Sequence, residues 1–237
     1  MIFRPYPGFT IAVAVMFAIL CGLGFWQLER LQWKLNLVAQ VEANMAAAPL
    51  SLDEAIQMPP EQAQYHRVTL NGVFDHAHEA YAFATTTGGA VVYHVLTPFR
   101  TEDGRVLMVD RGAIPKEKLD PESRAAANVE GPIQVTGVWR TPDPASGFSP
   151  PPDLGKHIWY VRDVTAMAGA AGLTLAAPVV IEADATPNPG GWPKGGGTVV
   201  SFRNQHLGYA VTWFALAAAL LCIWLAFHIS KGRIGLK

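Results

Sequence analysis

The chain has 237 residues, half of them hydrophobic and 16% charged, which is apolar for a soluble protein yet too polar for a multi-span transporter. Its 18 basic and 19 acidic residues nearly cancel, and no stretch carries the clustered Lys and Arg of a nucleic-acid footprint, so no nucleic-acid partner is expected. The two cysteines, Cys21 and Cys222, fall in apolar terminal segments, which excludes a disulfide framework or thiolate metal site in the region between.

Residues 8–28 run for 21 positions without a charge, enough to cross ~30 Å of hydrocarbon. A first transmembrane helix is therefore assigned to residues 8–29. A cleavable signal peptide would have a shorter apolar core with a small-x-small site directly behind it, and the nearest such run, Ala46-Ala47-Ala48, comes too late. A second span is assigned to residues 206–229, where Tyr209 and Trp213 sit at the level of an aromatic belt.

Arg4 in the short N-terminal tail and Lys231, Arg233 and Lys237 in the C-terminal tail favour cytoplasmic termini, against Arg30, Lys34, Lys194 and Arg203 on the opposite flanks. Only seven residues precede Gly8, which leaves no room for an Arg- and Ser-rich presequence and points to a bacterial inner membrane, with the middle of the chain periplasmic. In antiparallel helices Cys21 and Cys222 lie at different depths and are not expected to pair.

Residues 30–205 form the extramembrane domain. Short helices are expected within 33–57: WKLNLVAQVEANMAA has helical periodicity, and Ser51 with Glu54 forms a capping box. Eight β-branched and aromatic runs then follow: RVTLNGVF, EAYAF, VVYHVLTPF, RVLMVDRGAI, PIQVTGVW, HIWYV, PVVIEA and TVVSF. Turn signals such as Glu102-Asp103-Gly104 predict antiparallel hairpins, and the lack of alternating strand and helix argues against a parallel α/β sheet.

The expected fold is α+β, a mostly antiparallel small barrel or sandwich between two terminal transmembrane helices. A helix is expected at 164–173. The five prolines of 141–153 predict a loop too rigid and too poor in donors to pair.

Two polar constellations stand out. In Asp75-His76-Ala77-His78-Glu79, imidazoles two apart on an extended chain would face the same way and suit zinc or copper, against an exposed polar turn as the plain reading. Asp110-Arg111 suggests an ion pair at a strand end. The glycine-rich run 187–197 lacks the Lys-Ser or Lys-Thr ending of a phosphate loop, and no G-x-S-x-G, C-x-x-C or H-E-x-x-H occurs, so an enzyme is not expected.

Two long motifs, one at the end of each span, resemble the surfeit-locus (Shy/Surf type) family of cytochrome c oxidase assembly factors. Residues 24–34, GFWQLERLQWK, resemble the family's G-x-W-Q-L-x-R-L-x-W-K, and residues 204–214, NQHLGYAVTWF, its N-x-H-L-x-Y-A-x-T-W-F. Between them Arg67-Val68, Gly72-Val73-Phe74-Asp75, Pro98-Phe99, Arg111-Gly112 with Pro115, and Trp159-Tyr160 with Asp163 fall in the family's order. Ala113 departs from the family's usual Trp.

The resemblance implies an assembly factor that binds haem a transiently and helps deliver it to the oxidase catalytic subunit, with that subunit, haem a synthase and the lipid bilayer as partners. A cofactor-free scaffold or chaperone for new oxidase subunits is the alternative. If both motifs end their helices at the outer leaflet, Trp26, Gln27 and Arg30 lie level with His206, Tyr209 and Trp213. His206, Tyr209 and Trp213 share one helix face, and Gly22, Trp26, Arg30 and Trp33 form a stripe on the other helix.

An aromatic-lined cleft between these helices suits haem: His206 as axial iron ligand, rings over the macrocycle, and Arg30 or Arg203 for the propionates. The plain readings are a boundary histidine helping to cap its helix, aromatics in an interfacial belt, and arginines extended toward water.

Overall fold

The computed structural model describes residues 2–86, 88–142, 149–197 and 204–235, and the chain forms two units, 1–40 with 201–237 and 41–200. In the first unit lie β1 (Ile2–Phe3), most of helix α1 (Pro7–Ala46), α5 (His206–Ser230) and β9 (Ile234–Gly235). Both helices are long and apolar enough to cross a membrane.

At ~1.5 Å per residue, α1 is ~60 Å long, about twice the hydrocarbon thickness. The expected separate helix beginning at Trp33 is its continuation: no Gly or Pro follows Gly24 until Pro49, so nothing breaks the backbone ladder.

The helices pack through a seam spaced three and four residues apart. On α1 the covered positions include Val13, Phe17, Leu20, Gly24 and Gln27, and on α5 His206, Ala210, Phe214, Ala217, Trp224 and His228. Ala210 and Ala217 leave room for close approach, and at Gly24 a β-carbon would lie 2.6 Å from Phe214 Cζ.

At the opposite end the Tyr6 N–H donates to His228 Nε2 at 3.1 Å, and His228 Nδ1 lies 2.8 Å from the Trp224 carbonyl, which assigns the proton to Nδ1. Trp224 Nε1 donates to Thr10 Oγ1 at 3.1 Å, and β1 pairs antiparallel with β9. Cys21 and Cys222 are both free thiols.

The second unit begins with α2 (Leu52–Gln57), opened by the expected capping box. Ser51 Oγ accepts the Glu54 N–H at 3.3 Å, and Glu54 Oε2 accepts the Ser51 N–H at 2.8 Å. After α3 (Pro60–Ala63) come strands β2 (Arg67–Phe74), β3 (Ala80–Thr85), β4 (Val91–Thr101), β5 (Val106–Pro115), β6 (Ile133–Arg140) and β7 (Ile158–Trp159), then α4 (Val164–Ala170) and β8 (Val180–Ala183).

The sheet order is β2-β6-β8-β5-β4-β3-β7, and an added β2–β4 pairing closes β2, β6, β8, β5 and β4 into a five-stranded barrel. Between barrel and sandwich, the chain is a barrel. Closure depends on Gly72, where a β-carbon would stand 2.1 Å from the Arg100 carbonyl oxygen.

Each ring strand turns alternate residues inward. Val68 and Leu70, Phe99, Leu107 and Val109, Val135 and Trp139, and Ile181 form one core, which Leu52, Ala55 and Ala63 join. Burying each large side chain of this set contributes roughly 1.5–3 kcal/mol. The opposite parity, Leu96, Met108 and Val180, packs with Ala80 and Ala82 of β3, Trp159 of β7, and Val164 and Met167 of α4.

Three details differ from expectation. The pairings β5–β8 and β3–β7 are parallel, because the chain between β5 and β8 includes β6, β7 and α4 and returns in the same direction. HIWYV pairs only at Ile158–Trp159, while TVVSF lies outside the described residues. Within the proline-rich stretch, Asp153 does pair, through a lone antiparallel bridge to Ile158; residues 143–148 lie outside the described set.

Candidate functional site

His206 opens α5 and Gln27 occupies the covered face of α1, so the antiparallel seam brings the two side chains together. His206 Nδ1 lies 2.7 Å from Gln27 Oε1. The amide oxygen only accepts, so Nδ1 carries the proton and Nε2 keeps its lone pair. The imidazole does not cap its helix: the N-cap is Gln205, and the His206 N–H is accepted by Asn204 Oδ1 at 3.3 Å.

Gln27, Gln205, His206 and Tyr209 line a cavity of about 330 Å³. Gln27 is 8% exposed and Tyr209 53%, so the amide forms a covered wall and the phenol a rim. With Nδ1 held by the Gln27 carbonyl, Nε2 is the nitrogen turned away, which is how the imidazole of a haem ligand is oriented by a hydrogen-bonding neighbour. The residues present fit the group.

The other expected residues are placed differently. Trp26 and Trp33 are exposed, and the Arg30 guanidinium stacks over both, 5.9 Å and 5.5 Å from their ring centroids. This ladder follows the predicted stripe but is not part of the cavity wall, because Trp26 points ~100° away from Gln27 around the helix. Trp213 is half-buried on the His206 side of α5 and also stands outside the wall. Arg203 lies outside the described residues.

The domain's polar constellations are resolved separately. Residues His76–His78 form a 3-10 turn rather than an extended chain, so the two imidazoles diverge. His76 Nε2 meets the Val129 carbonyl at 3.1 Å, and His78 Nδ1 meets Asp75 Oδ2 at 2.8 Å. The premise of a two-histidine chelate is therefore not met. Among the described residues, no group of three or more His, Cys, Asp or Glu is arranged to hold a metal ion.

Asp110 and Arg111 do not pair either, since successive strand residues face opposite sides. Arg111 Nη1 donates to Glu79 Oε1 at 3.1 Å, and Arg124 Nη2 donates to Glu79 Oε2 at 2.6 Å. All three residues are at least 95% covered. Burial pushes the Glu79 carboxyl up, but hydrogen bonds from His76 and Arg124 and the charges of Arg124 and Arg111 outweigh it, holding the group at about 2.

Sequence reasoning missed this cluster because Arg124 reaches it from the 3-10 segment Pro121–Ala127, where no periodic signal exists. It also missed the buried His228, whose only mark in the sequence is a lone imidazole inside an apolar span.

The SURF1 family model matches residues 14–218. Surfeit locus protein 1 of Gallus gallus is 37% identical over 227 residues, covering 88% of this chain and 72% of the relative. The Homo sapiens protein of the same name is 36% identical over 219 residues, covering 86% and 72%. A SURF1-like protein of Monosiga brevicollis is 36% identical over 232 residues, covering 91% and 86%. The family-model match runs through both end motifs and the barrel between them, and the chain belongs to the SURF1 family of cytochrome c oxidase assembly factors.

Proposed function

We propose that this chain acts in cytochrome c oxidase assembly as a non-enzymatic haem a carrier, holding the cofactor beside His206 and passing it to the oxidase catalytic subunit. The observation that carries the reading is the 2.7 Å contact from His206 Nδ1 to Gln27 Oε1 beside a 330 Å³ cavity. Haem a, when bound, supplies the redox iron that the oxidase needs. His206 Nε2 would hold the iron, Gln27 would keep the imidazole in its orientation, and Tyr209 would supply apolar contact from the cavity rim.

One neutral protein ligand on a partly open cavity suits temporary holding better than permanent insertion. The natural donor of the cofactor is haem a synthase. The proposed topology has both termini on one side of the membrane that carries the oxidase, with basic Arg4, Lys231 and Arg233 there and the barrel on the other side.

The test is to express the full chain with haem a synthesis, purify it, and compare it with His206→Ala. Loss of most bound haem a and a changed absorption spectrum is the expected result. Equal haem content with an identical spectrum would remove His206 from the role and leave a cofactor-free scaffold.

A further inference from the structure

A second cavity, of about 470 Å³, opens within the barrel unit, and its chemistry is unrelated to the helix pair. Its wall includes His94 of β4, Asp110 of β5, Glu182 of β8, Arg162, Phe83 and Tyr160. The ladder between β4 and β5 is irregular here: three steps from Asp110 to Ala113 oppose two from His94 to Leu96, so Arg111-Gly112 forms a bulge. Gly112 adopts φ +117°, and a β-carbon on it would lie 2.0 Å from the Lys194 carbonyl oxygen. That close crossing lets residues 195–197, all glycine, form cavity wall without side chains filling the space.

The bulge also sets up a dyad. Asp110, 3% exposed, accepts the Gly112 N–H on Oδ1 at 2.9 Å and faces His94 Nδ1 with Oδ2 at 2.8 Å. Arg162 Nη1 bridges the same carboxylate, at 3.4 Å, to Glu182 Oε1, at 2.8 Å, and Arg140 Nε stands 3.8 Å from Glu182. Two carboxylates and two guanidiniums thus offset one another.

What remains to the cavity is the imidazole, whose only polar partner among the described residues is Asp110. Nε2 is the nitrogen left over. The apolar side of the cavity comes from the Phe83 and Tyr160 rings, 5.8 Å apart, 37% and 44% exposed.

We propose that this cavity is a binding site for a carboxylate carrying an aromatic or apolar group, with the charged His94 imidazole receiving the carboxylate and Phe83 and Tyr160 receiving the apolar part. A cation is disfavoured because both carboxylates already accept from guanidinium or imidazole groups. An uncharged ligand would leave a cluster of one imidazolium and two guanidiniums with only two carboxylates against it. Consistent with the geometry, the hydrogen bond that His94 donates to Asp110 outweighs burial and raises the His94 pKa, so the charged form extends toward neutral pH. The charged groups facing His94 are Asp110, Arg162 and Glu182, with the Tyr160 phenol also in the wall.

The probe is benzoate, with benzamide as its uncharged isostere, titrated into the full-length protein in zwitterionic nanodiscs while the ¹⁵N imidazole resonances of His94 are followed. Benzoate is expected to move the His94 resonances and to bind about 10-fold more tightly near pH 6 than near pH 8.5, because the imidazolium is lost on raising pH while benzoate stays ionised. Benzamide should bind at least about 10-fold more weakly.

Tyr160→Ala, at an exposed position that can be truncated without opening the core, should weaken benzoate several-fold. His94→Gln should abolish the pH dependence. His206-dependent haem content stays unchanged in both variants, which separates this site from the helix-pair site. No movement of the His94 resonances in the unmodified protein, equal binding of benzamide, or unaltered binding in Tyr160→Ala would each overturn the proposal.

Discussion

Gln27 Oε1 and His206 Nδ1, 179 positions apart in sequence, stand 2.7 Å from one another across the helix seam. The contact joins the two motifs through which the chain resembles its family. If Gln27 orients the imidazole, Gln27→Ala should weaken haem a retention by about 10–100-fold while leaving some ligated haem. His206→Ala should remove nearly all of it, and the double variant should be no worse than His206→Ala alone. Retained haem measured per mole of purified protein gives the comparison.

The close approach at Gly24 makes a separate, purely steric prediction. In Gly24→Val the new side chain meets the Phe214 ring, at a cost of about 1–3 kcal/mol unless the helices move apart. Thermal unfolding in detergent should show the loss. Adding Phe214→Ala should recover part of it, because the obstructing ring is gone.

Glu79 neutralises buried Arg111 and Arg124 at once, so Glu79→Gln leaves two guanidiniums without a counter-charge. The expected destabilisation is about 3–5 kcal/mol. Replacing all three residues by apolar side chains of similar volume should cost less than the single change. Denaturant midpoints of the three proteins decide the order.

The same carboxylate dictates a response to acid. Its pKa in the folded chain is about 2, below the ordinary value of 4.5 used for the unfolded chain. The stabilisation is therefore complete above about pH 5 and declines as the pH falls from there toward 2, by on the order of 3 kcal/mol in all. Glu79→Gln should flatten this limb of the stability profile, read as midpoint temperature against pH.

Gly112 permits a bulge that no β-carbon tolerates. Gly112→Ala adds a side chain at φ +117° against the Lys194 backbone and should destabilise the domain by about 1–3 kcal/mol. It should also broaden the His94 resonances, because Asp110 takes its orientation from the Gly112 N–H.

The strands were legible because alternation survives wherever one face meets a core, and seven of the eight predicted runs contain described strand residues. Ring closure was not legible, since it rests on a Gly72 contact with a strand some thirty residues away that composition does not reveal. The parallel partners of β3 and β5 were hidden for the same reason. At the helix pair, antiparallel geometry sufficed to level Gln27 with His206, but the choice between adjacent stripes did not follow. Gly22, Trp26, Arg30 and Trp33 repeat as regularly as the stripe that holds Gly24 and Gln27. What selects the latter is the space that Phe214 demands from Gly24, a fact of packing rather than of period.

Strand β5 carries its acid and its base side by side, Asp110 toward the imidazole and Arg111 toward Glu79. A slip of this strand by one residue during folding would, in one direction, put Arg111 where Asp110 is wanted and Gly112 where Arg111 is wanted; in the other, Asp110 would stand in for Arg111 and Val109 for Asp110. Either slip sets a charge of the wrong sign at one poorly hydrated site and leaves the other without its charge, so the misaligned barrel is rejected twice. Two neighbouring side chains thereby proofread the alignment on which the remaining strands depend.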